Sequence, residues 1–321
     1  MVLSSSQSRK RFAIFAWVVL AYNLPVILWG AYVRASFSGD GCGAHWPFCN
    51  GQVIPQNMAA PMAIEFTHRM MTSADTIAML VLVAWAFAAF PRQHAVRRYA
   101  VWSLVFLFIE ALLGAGLVLF RLVAKDQSAG RAGYLSAHLT NTMLLLAAIT
   151  ATAWLANSGA ERLRLSELPG KLKTALVLTV LVSVTGAIAA LGDTLFPAAS
   201  LSTGMRQDLS SASSVLLRLR MTHPAIALLG AGYLVWAASS LARRSTAAGT
   251  RRAAYGVIGL AMFQLAVGIS NLALLAPIWM QLFHLLVADA VWVAIVLLAL
   301  ETAGAPTRQV EPTFSPALGR S

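Results

Sequence analysis

Charged residues are scarce in this sequence. Asp, Glu, Lys and Arg together make up 11% of its 321 residues, and hydrophobic residues make up 58%. An average soluble domain is about a quarter charged and about half apolar. A chain with this composition does not have water as its main solvent. The composition therefore excludes an ordinary soluble domain and indicates a membrane protein.

Long apolar runs take the place of the missing charge. A helix needs roughly 20 residues to cross a hydrocarbon core of about 30 Å. Eight runs of this length, numbered here as spans 1 to 8, lie at 12–33, 62–90, 99–120, 133–156, 172–191, 215–240, 253–275 and 277–300. Only Ala276 and Pro277 separate the last two runs. This short separation predicts a tight turn.

Acidic residues are half as common as basic ones, 12 against 24, and the formal net charge is +12. In a membrane chain the informative quantity is how Lys and Arg divide between the two sides. Sixteen of the 24 fall in the two tails and in or directly beside the loops after spans 2, 4 and 6. The sequence therefore predicts a multi-pass protein of the inner (cell) membrane with both termini cytoplasmic. Its partner is the lipid bilayer, and no nucleic acid is expected.

Both ends of the chain are predicted to be short cytoplasmic tails, at residues 1–11 and 302–321. The first ends in Ser-Arg-Lys-Arg before span 1. The apolar run that follows is longer than a signal-peptide core and has no small-residue cleavage site, so we interpret span 1 as an uncleaved anchor. The second tail is rich in proline and poor in hydrophobic residues, which predicts disorder.

The spans form two sets of four, because motifs of the first set recur in the second at nearly constant spacing. The recurring motifs are Trp29-Gly30-Ala31 with Thr185-Gly186-Ala187 at an offset of 156, His68 with His223 at 155, and Glu110-Ala-Leu-Leu-Gly114 with Gln264-Leu-Ala-Val-Gly268 at 154. Four spans per set give both sets the same orientation, which is a parallel repeat about an axis along the membrane normal. We predict an all-α integral membrane fold of two tandem, pseudo-twofold-related four-helix bundles, 12–156 and 172–301, joined by a cytoplasmic linker at 157–171.

Four histidines occupy equivalent places in the even-numbered spans: His68, His138, His223 and His284. Each lies five to eight residues after the start of an inward-running span. At about 1.5 Å per residue this is a depth of roughly 8 to 12 Å. The four imidazoles therefore share one layer near the outer face. Ionisable groups inside a bilayer are costly, and this cost points to a function.

Several ligands or roles are open to such a layer. A single membrane histidine is most simply explained by a hydrogen bond between helices, but four equivalent ones at one depth favour ligands. Imidazole binds Zn, Cu, Fe and haem iron. A bare metal ion favours additional Cys or carboxylate ligands, and a proton relay favours scattered depths. Two histidines across a bundle core suit a haem between the helices, so the layer predicts two haem sites.

Glu65 lies three residues before His68, so both side chains project from the same helical face. The carboxylate can orient the imidazole, pair with Arg69 or move protons at the iron. A carboxylate without a catalytic role near the water boundary is the alternative. The deeper acids Glu110 and Asp289 can serve a proton path or a local polar contact, and the sequence favours neither.

Four arginines lie near the same outer layer. They are Arg34, Arg69, Arg218 and Arg220. Guanidinium groups can bind haem propionates in a bidentate manner. Each arginine taken singly is explained equally well by its side chain reaching the lipid headgroups.

The only two cysteines, Cys42 and Cys49, lie in the external loop after span 1. An oxidising location makes a disulfide the expected state. The disulfide can be a structural staple over the first bundle, or a redox-active pair that exchanges electrons near the site. Zinc binding with His45 is poorly supported, because structural zinc requires four ligands. His45 and His94 lie in loops outside the histidine layer, and both are interpreted as solvated.

These residues resemble those of the haem A synthase (CtaA/Cox15) family. The resemblance is carried by Arg34, the Gly/Asp/Cys loop with Trp46-Pro47 and Cys49-Asn50-Gly51, and Glu65-Phe-Thr-His68-Arg69. It covers about 12–300, including all four histidines. The second half departs more, because Met221-Thr222-His223-Pro224 lacks the following arginine and the loop after span 5 lacks cysteine.

The resemblance implies an oxidoreductase that converts haem O to haem A by oxidising a methyl group to a formyl group, beginning with hydroxylation. It implies that His68 and His138 bind the substrate haem beside the catalytic Glu65. His223 and His284 would then hold a haem b cofactor, and the external cysteine pair would be Cys42 and Cys49. The implied partners are haem O, an electron donor, haem O synthase, and terminal oxidase subunits or assembly factors.

Two other classes of protein remain open from the residues alone. A di-haem electron-transfer cytochrome b predicts four equivalent histidines and no special need for Glu65. A transporter agrees with the parallel repeat, but it leaves the layer of histidines unexplained.

Overall fold

The structure, a computed structural model, describes residues 5–210 and 215–304. Over these residues the chain forms nine α-helices, one 3-10 helix at Leu165–Glu167 and no β-strand. The α-helices are α1 (Ser5–Ala35), α2 (Ala60–Ala89), α3 (Ala95–Leu119), α4 (Ala129–Ser158), α5 (Gly170–Leu195), α6 (Leu201–Leu209), α7 (Val215–Arg244), α8 (Ala248–Ala273) and α9 (Ile278–Ala303). The fold is all-α, as the sequence predicts.

Every α-helix except α6 is long and apolar enough to cross a membrane, judged by length and composition. These eight helices coincide with the eight predicted spans, and most extend a few residues beyond the apolar run. Helix α6, a nine-residue segment in the loop after α5, is the element that the sequence analysis missed. It is short and polar, so it produces no apolar run.

The chain ends differ from the predicted tails in extent. Helix α1 begins at Ser5, so the predicted tail 1–11 is helical from that residue onward. Helix α9 ends at Ala303, so residues 302 and 303 are helical. The predicted disorder from 305 onward lies outside the described residues. The linker is shorter than 157–171, because α4 reaches Ser158 and α5 begins at Gly170.

Each set of four long helices packs as a ring. In the first half α1 packs on α2, α2 on α3, α3 on α4, and α4 back on α1. In the second half α5 packs on α7, α7 on α8, α8 on α9, and α9 back on α5. The histidine-bearing helices are therefore diagonal partners, α2 opposite α4 and α7 opposite α9.

Helices α4 and α9 form the contact between the two halves. Helix α4 packs on both α5 and α9. It is the most buried of the eight long helices: 72% of its most apolar 18-residue stretch is buried, against 22 to 44% in the others. Trp292 of α9 donates a hydrogen bond from Nε1 to the carbonyl oxygen of Met143 in α4, at 2.7 Å. Trp154 of α4 donates from Nε1 to Oε1 of Glu301 in α9, at 2.8 Å. These two bonds fix the register of the central pair.

The turn between α8 and α9 is as tight as predicted. Leu275 and Ala276 adopt left-handed backbone angles, with φ of 63° and 52°. The N–H of Ala276 donates to the carbonyl oxygen of Asn271 at 2.8 Å, which satisfies a free carbonyl at the end of α8. The chain can therefore reverse direction and begin α9 at Ile278.

His94 differs from the sequence interpretation, which places it in solvent. It is buried, with 7% of its surface exposed, and its Nδ1 accepts a hydrogen bond from the N–H of Val96 at 3.3 Å. It therefore caps the N-terminus of α3. Burial lowers the pKa of His94 below its usual value, Arg9 lowers it further, and Glu161 partly offsets them.

Candidate functional site

Each of the four layer histidines packs against a glycine of a neighbouring helix. A Cβ atom added at Gly30, Gly186 or Gly268 would lie 3.0, 3.0 or 3.1 Å from Cε1 of His68, His223 or His284, and one added at Gly114 would lie 3.6 Å from Nε2 of His138. Glycine lets a ring approach the helix backbone closely, because it has no side chain. The repeated glycines and histidines of the sequence are thus four copies of one packing arrangement.

The four histidines fall into two pairs, one in each half. His68 and His138 lie on the diagonal helices α2 and α4, and His223 and His284 lie on the diagonal helices α7 and α9. All four side chains are half-buried. The four predicted ligands are thus divided into one pair on diagonal helices in each half, and their binding of haem stays a prediction.

Hydrogen bonding differs among the four rings. In the first half, Nδ1 of His138 lies 2.8 Å from Oε1 of Glu110. In the second, Nδ1 of His223 lies 3.1 Å from the hydroxyl of Thr185. Among the described residues, Nδ1 of His68 and Nδ1 of His284 are buried without a hydrogen-bond partner. One ring of the four is thus held by a carboxylate.

Glu65 and Arg69 attach the external cysteine loop to α2. Glu65 is 4% exposed, its Oε2 accepts from the N–H of Cys42 at 2.9 Å, and its Oε1 accepts from Nη2 of Arg69 at 2.5 Å. Arg69 also donates from Nη1 to three loop carbonyl oxygens, those of His45, Pro47 and Phe48, at 2.9, 3.2 and 3.0 Å. The loop is therefore held one helical turn from His68.

Cys42 and Cys49 form the predicted disulfide, with an S–S distance of 2.00 Å. The two cysteines are 0% and 1% exposed, whereas His45 is exposed. Because the two sulfur atoms are bonded to each other, neither is free to bind zinc together with His45. Within the described ranges, no group of three or more His, Cys, Asp or Glu side chains is arranged to hold a bare metal ion.

The other arginines have different surroundings. Arg34 of α1 crosses to the second half, where Nη1 donates to the carbonyl oxygen of Ala190 and the hydroxyl of Thr194, both at 2.8 Å. Arg220 forms ion pairs with Asp193 at 3.3 Å and Asp208 at 2.5 Å. Arg218 is exposed and lines a surface pocket with Asp208 and Thr222. The role of these arginines and of Arg69 in binding propionates stays a prediction.

Three buried or half-buried acids extend the picture given by the sequence. Glu110, for which the sequence favoured no role, contacts His138. Asp75, which the sequence analysis overlooked, is 0% exposed and accepts from Nδ2 of Asn23 at 3.0 Å. Asp289 is 4% exposed. Asp75 lies seven residues after His68, which is two helical turns and therefore the same face of α2. This spacing is visible in the sequence and could have identified Asp75.

These features define a class: an all-α, multi-pass membrane protein of two four-helix rings, each with a pair of histidines on diagonal helices. The chain matches the family COX15-CtaA, described as cytochrome oxidase assembly protein, over residues 13–296. The chain belongs to this family.

Individual relatives are similar over different portions. A protein from Thermus thermophilus named protoheme IX farnesyltransferase is 43% identical over 304 residues, which cover 94% of this chain and 50% of that protein. A haem A synthase from an Exiguobacterium species is 32% identical over 112 residues, 35% of this chain and 37% of that protein. One from Lysinibacillus sphaericus is 38% identical over 111 residues, 35% of each. The chain thus spans half the length of the Thermus relative.

Proposed function

We propose that this protein is a haem A synthase, a membrane oxidoreductase that oxidises the methyl group of haem O to a formyl group through hydroxylation. Family membership and the similarity to proteins named haem A synthase support this proposal. The observation that carries it is the unequal environment of two otherwise equivalent histidine pairs. Only the first pair has Glu65, Glu110 and the disulfide loop nearby.

Haem fits both histidine pairs. Imidazole is a ligand of haem iron, and the two histidines that each half carries on diagonal helices would hold one haem between them. The glycine contacts leave room for each ring to lie against the neighbouring helix. The Nδ1 atoms of His68 and His284 are buried and have no hydrogen-bond partner among the described residues, so each could interact with a bound group. We assign haem O to His68 and His138, and haem b to His223 and His284.

The iron supplies the redox chemistry when haem is bound, and the protein supplies position and proton handling. His68 and His138 hold the substrate ring within the first bundle. Glu65 is the proposed proton-handling group. Both of its oxygens accept hydrogen bonds, from Cys42 and Arg69, so a proton arriving at Glu65 removes the negative charge that strengthens these two bonds. Proton transfer at Glu65 is thereby linked to the disulfide loop.

The second pair suits a supporting role. Its rings contact the neutral side chains of Thr185 and Gln264, and neither position carries an ionisable group that can exchange protons with a substrate. This half is the proposed site of electron delivery to the first. An electron donor, haem O synthase, and terminal oxidase subunits or assembly factors are the proposed partners. The farnesyltransferase name of the longer Thermus relative supports a partner that makes haem O.

The decisive experiment is to express the full chain in cells that make haem O and to analyse the extracted haems by chromatography and mass spectrometry. We expect hydroxymethyl and formyl haem, and we expect their loss in a His68→Ala variant. Bound haem without either oxidised product would overturn the synthase proposal and favour the di-haem cytochrome b. That alternative draws support from the equivalent placement of the four Gly–His contacts.

Glu65→Gln tests the proton-handling role separately. The amide is the same size and retains one oxygen acceptor, but it does not accept a proton in the working range. We expect oxidation products to fall by about 10² to 10⁴, the usual contribution of a positioned acid or base, while the amount of bound haem stays within twofold. Undiminished oxidation would remove Glu65 from the chemistry.

A further inference from the structure

Glu110 of α3 is the centre of a small polar cluster in the first set of four helices. Its Oε1 lies 2.8 Å from Nδ1 of His138 and also accepts from the hydroxyl of Thr142. Its Oε2 accepts from Nδ2 of Asn141 at 2.5 Å. Asn141 and Thr142 are 6% and 4% exposed. Three donors from α4 thus converge on one carboxylate of α3, which leaves the carboxylate little freedom to turn away from His138.

This arrangement determines which nitrogen of His138 can bind a metal. A carboxylate accepts hydrogen bonds and does not donate them, so Nδ1 of His138 carries the hydrogen that points to Glu110. Nε2 is then the free electron-pair donor. The contact therefore selects one tautomer and one orientation of the ring before any ligand arrives.

The second half has glutamine at the equivalent position. Gln264 lies 3.5 Å from His284, measured between their Nε2 atoms, and its amide donates to the carbonyl oxygen of His284 at 3.1 Å. The amide group is neutral, and its N–H is engaged with the backbone. The repeat therefore aligns a carboxylate in one half with an amide in the other, beside equivalent histidines.

We propose that Glu110 is a positioning residue that makes His138 a more electron-donating ligand and thereby lowers the reduction potential of the first-half haem below the value it would have without this carboxylate. A carboxylate bonded to the remote ring nitrogen raises the basicity of a ligating imidazole. A more basic ligand stabilises ferric over ferrous iron. The inference rests on the proposed haem sites.

The test is an optical redox titration of the purified full-length protein with its bound haem. The measurement is made in a His284→Ala background, so that the first-half haem is observed alone. Glu110→Gln should change the ferric-to-ferrous equilibrium constant about tenfold toward ferrous, which is a rise of about 59 mV for one electron. The electron paramagnetic resonance g-values of the ferric haem should shift as well. Asp75→Asn is the matched control, because it removes a buried acid of the same half that hydrogen-bonds Asn23 and not a layer histidine.

The reciprocal variant keeps the test decisive even where Glu110→Gln does not fold. In a His138→Ala background, Gln264→Glu should lower the potential of the second-half haem by a similar factor. Unchanged potentials and spectra in Glu110→Gln, or an equal shift in Asp75→Asn, would overturn the role of Glu110 while leaving the haem sites intact. Full haem retention in both His68→Ala and His138→Ala would instead show that the ligand assignment itself fails.

Discussion

At the scale of single residues, the contacts between glycine and histidine give the site its shape. Gly30 and Gly186 lie on α1 and α5, and each faces the ring of a histidine on the next long helix. A real Cβ atom rarely approaches another heavy atom to 3.0 Å, so any larger residue here must displace the ring. Helix propensity opposes glycine by about 1 kcal/mol relative to alanine, so these glycines occupy their helices at a local cost.

Gly30→Ala should therefore separate haem binding from stability. We expect the haem content of the first half to fall by about 10-fold, since displaced metal-ligand supports typically cost 10 to 100-fold in affinity. The thermal unfolding of the haem-free protein should be unchanged or improved. Haem content is measured per polypeptide from the pyridine haemochrome spectrum.

Gly256→Ala is the matched control for that substitution. Gly256 also lies in a long helix, and a Cβ atom there meets nothing within 4 Å. Full haem occupancy in Gly30→Ala would show that His68 does not need its observed position against α1.

At the scale of elements, the external loop between α1 and α2 depends on Arg69. Its side chain is 11% exposed, and it donates hydrogen bonds to three carbonyl oxygens of the loop that contains the buried disulfide. Arg69→Gln should raise the rate at which a water-soluble thiol reduces the Cys42–Cys49 bond by several-fold, because the loop loses the charge-assisted hydrogen bonds that hold it on α2.

The reduction rate is followed by trapping free cysteines with a maleimide that changes electrophoretic mobility. Arg121→Gln provides the control, because Arg121 is an exposed residue after α3 and lies in a predicted external loop. Equal reduction rates in Arg69→Gln and the parent protein would show that other contacts keep the loop closed.

The cap of α3 predicts a pH dependence of stability. The pKa of His94 is lowered in the folded protein, chiefly by burial, so protonation favours the unfolded chain. Stability should be constant above about pH 6.5, the usual imidazole value, and should fall as the pH drops from there toward the lower native pKa.

His94→Asn keeps a capping side chain at this position without an imidazole that titrates. Its unfolding temperature in detergent should therefore decrease less than that of the parent protein between pH 7.5 and pH 5.5. The same decrease in both proteins would assign the effect to other groups.

Sequence and structure agree best at the level of these elements. The eight long helices were predictable because each needs its own apolar run to satisfy the backbone within a bilayer. The equivalence of Gly30 with Gly186 was also visible, as a spacing. The contact of each glycine with a histidine could not be predicted from the sequence, because it depends on how two helices are rotated and how closely they approach each other. For the same reason Glu110 was left without a role and His94 was placed in solvent.

At the scale of the whole molecule, the two halves are joined through α4 and α9. Trp292→Phe removes the bond from Nε1 to Met143 and keeps most of the aromatic packing. We expect a loss of about 0.6 to 1.7 kcal/mol in the free energy of unfolding, the range of hydrogen bonds between membrane helices. Trp236→Phe is the matched control, since Trp236 is 53% exposed. An equal effect at both positions would show that the bond to Met143 contributes nothing to the joint between the halves.

Arg34 adds a polar connection to that joint. It extends from the first ring to Ala190, Thr194 and Gln281 of the second, whereas the sequence indicated only a contact to haem or lipid. Sequence offsets identify equivalent residues within the repeat, but they do not show which side chains cross from one half to the other. Arg34 has no equivalent among the matched motifs, so the repeat could not predict its partners.

The packing of α4 on α9 has a further consequence for electron movement. Helix α4 carries His138 and α9 carries His284, and packed helices lie about 8 to 10 Å apart. Electron tunnelling through protein decreases exponentially with distance, so the two proposed haems, one in each half, would need no diffusing carrier between them across this single helix pair. We therefore expect a mutation that spreads α4 and α9 apart to slow electron transfer between the proposed haem sites before it unfolds either set of four helices.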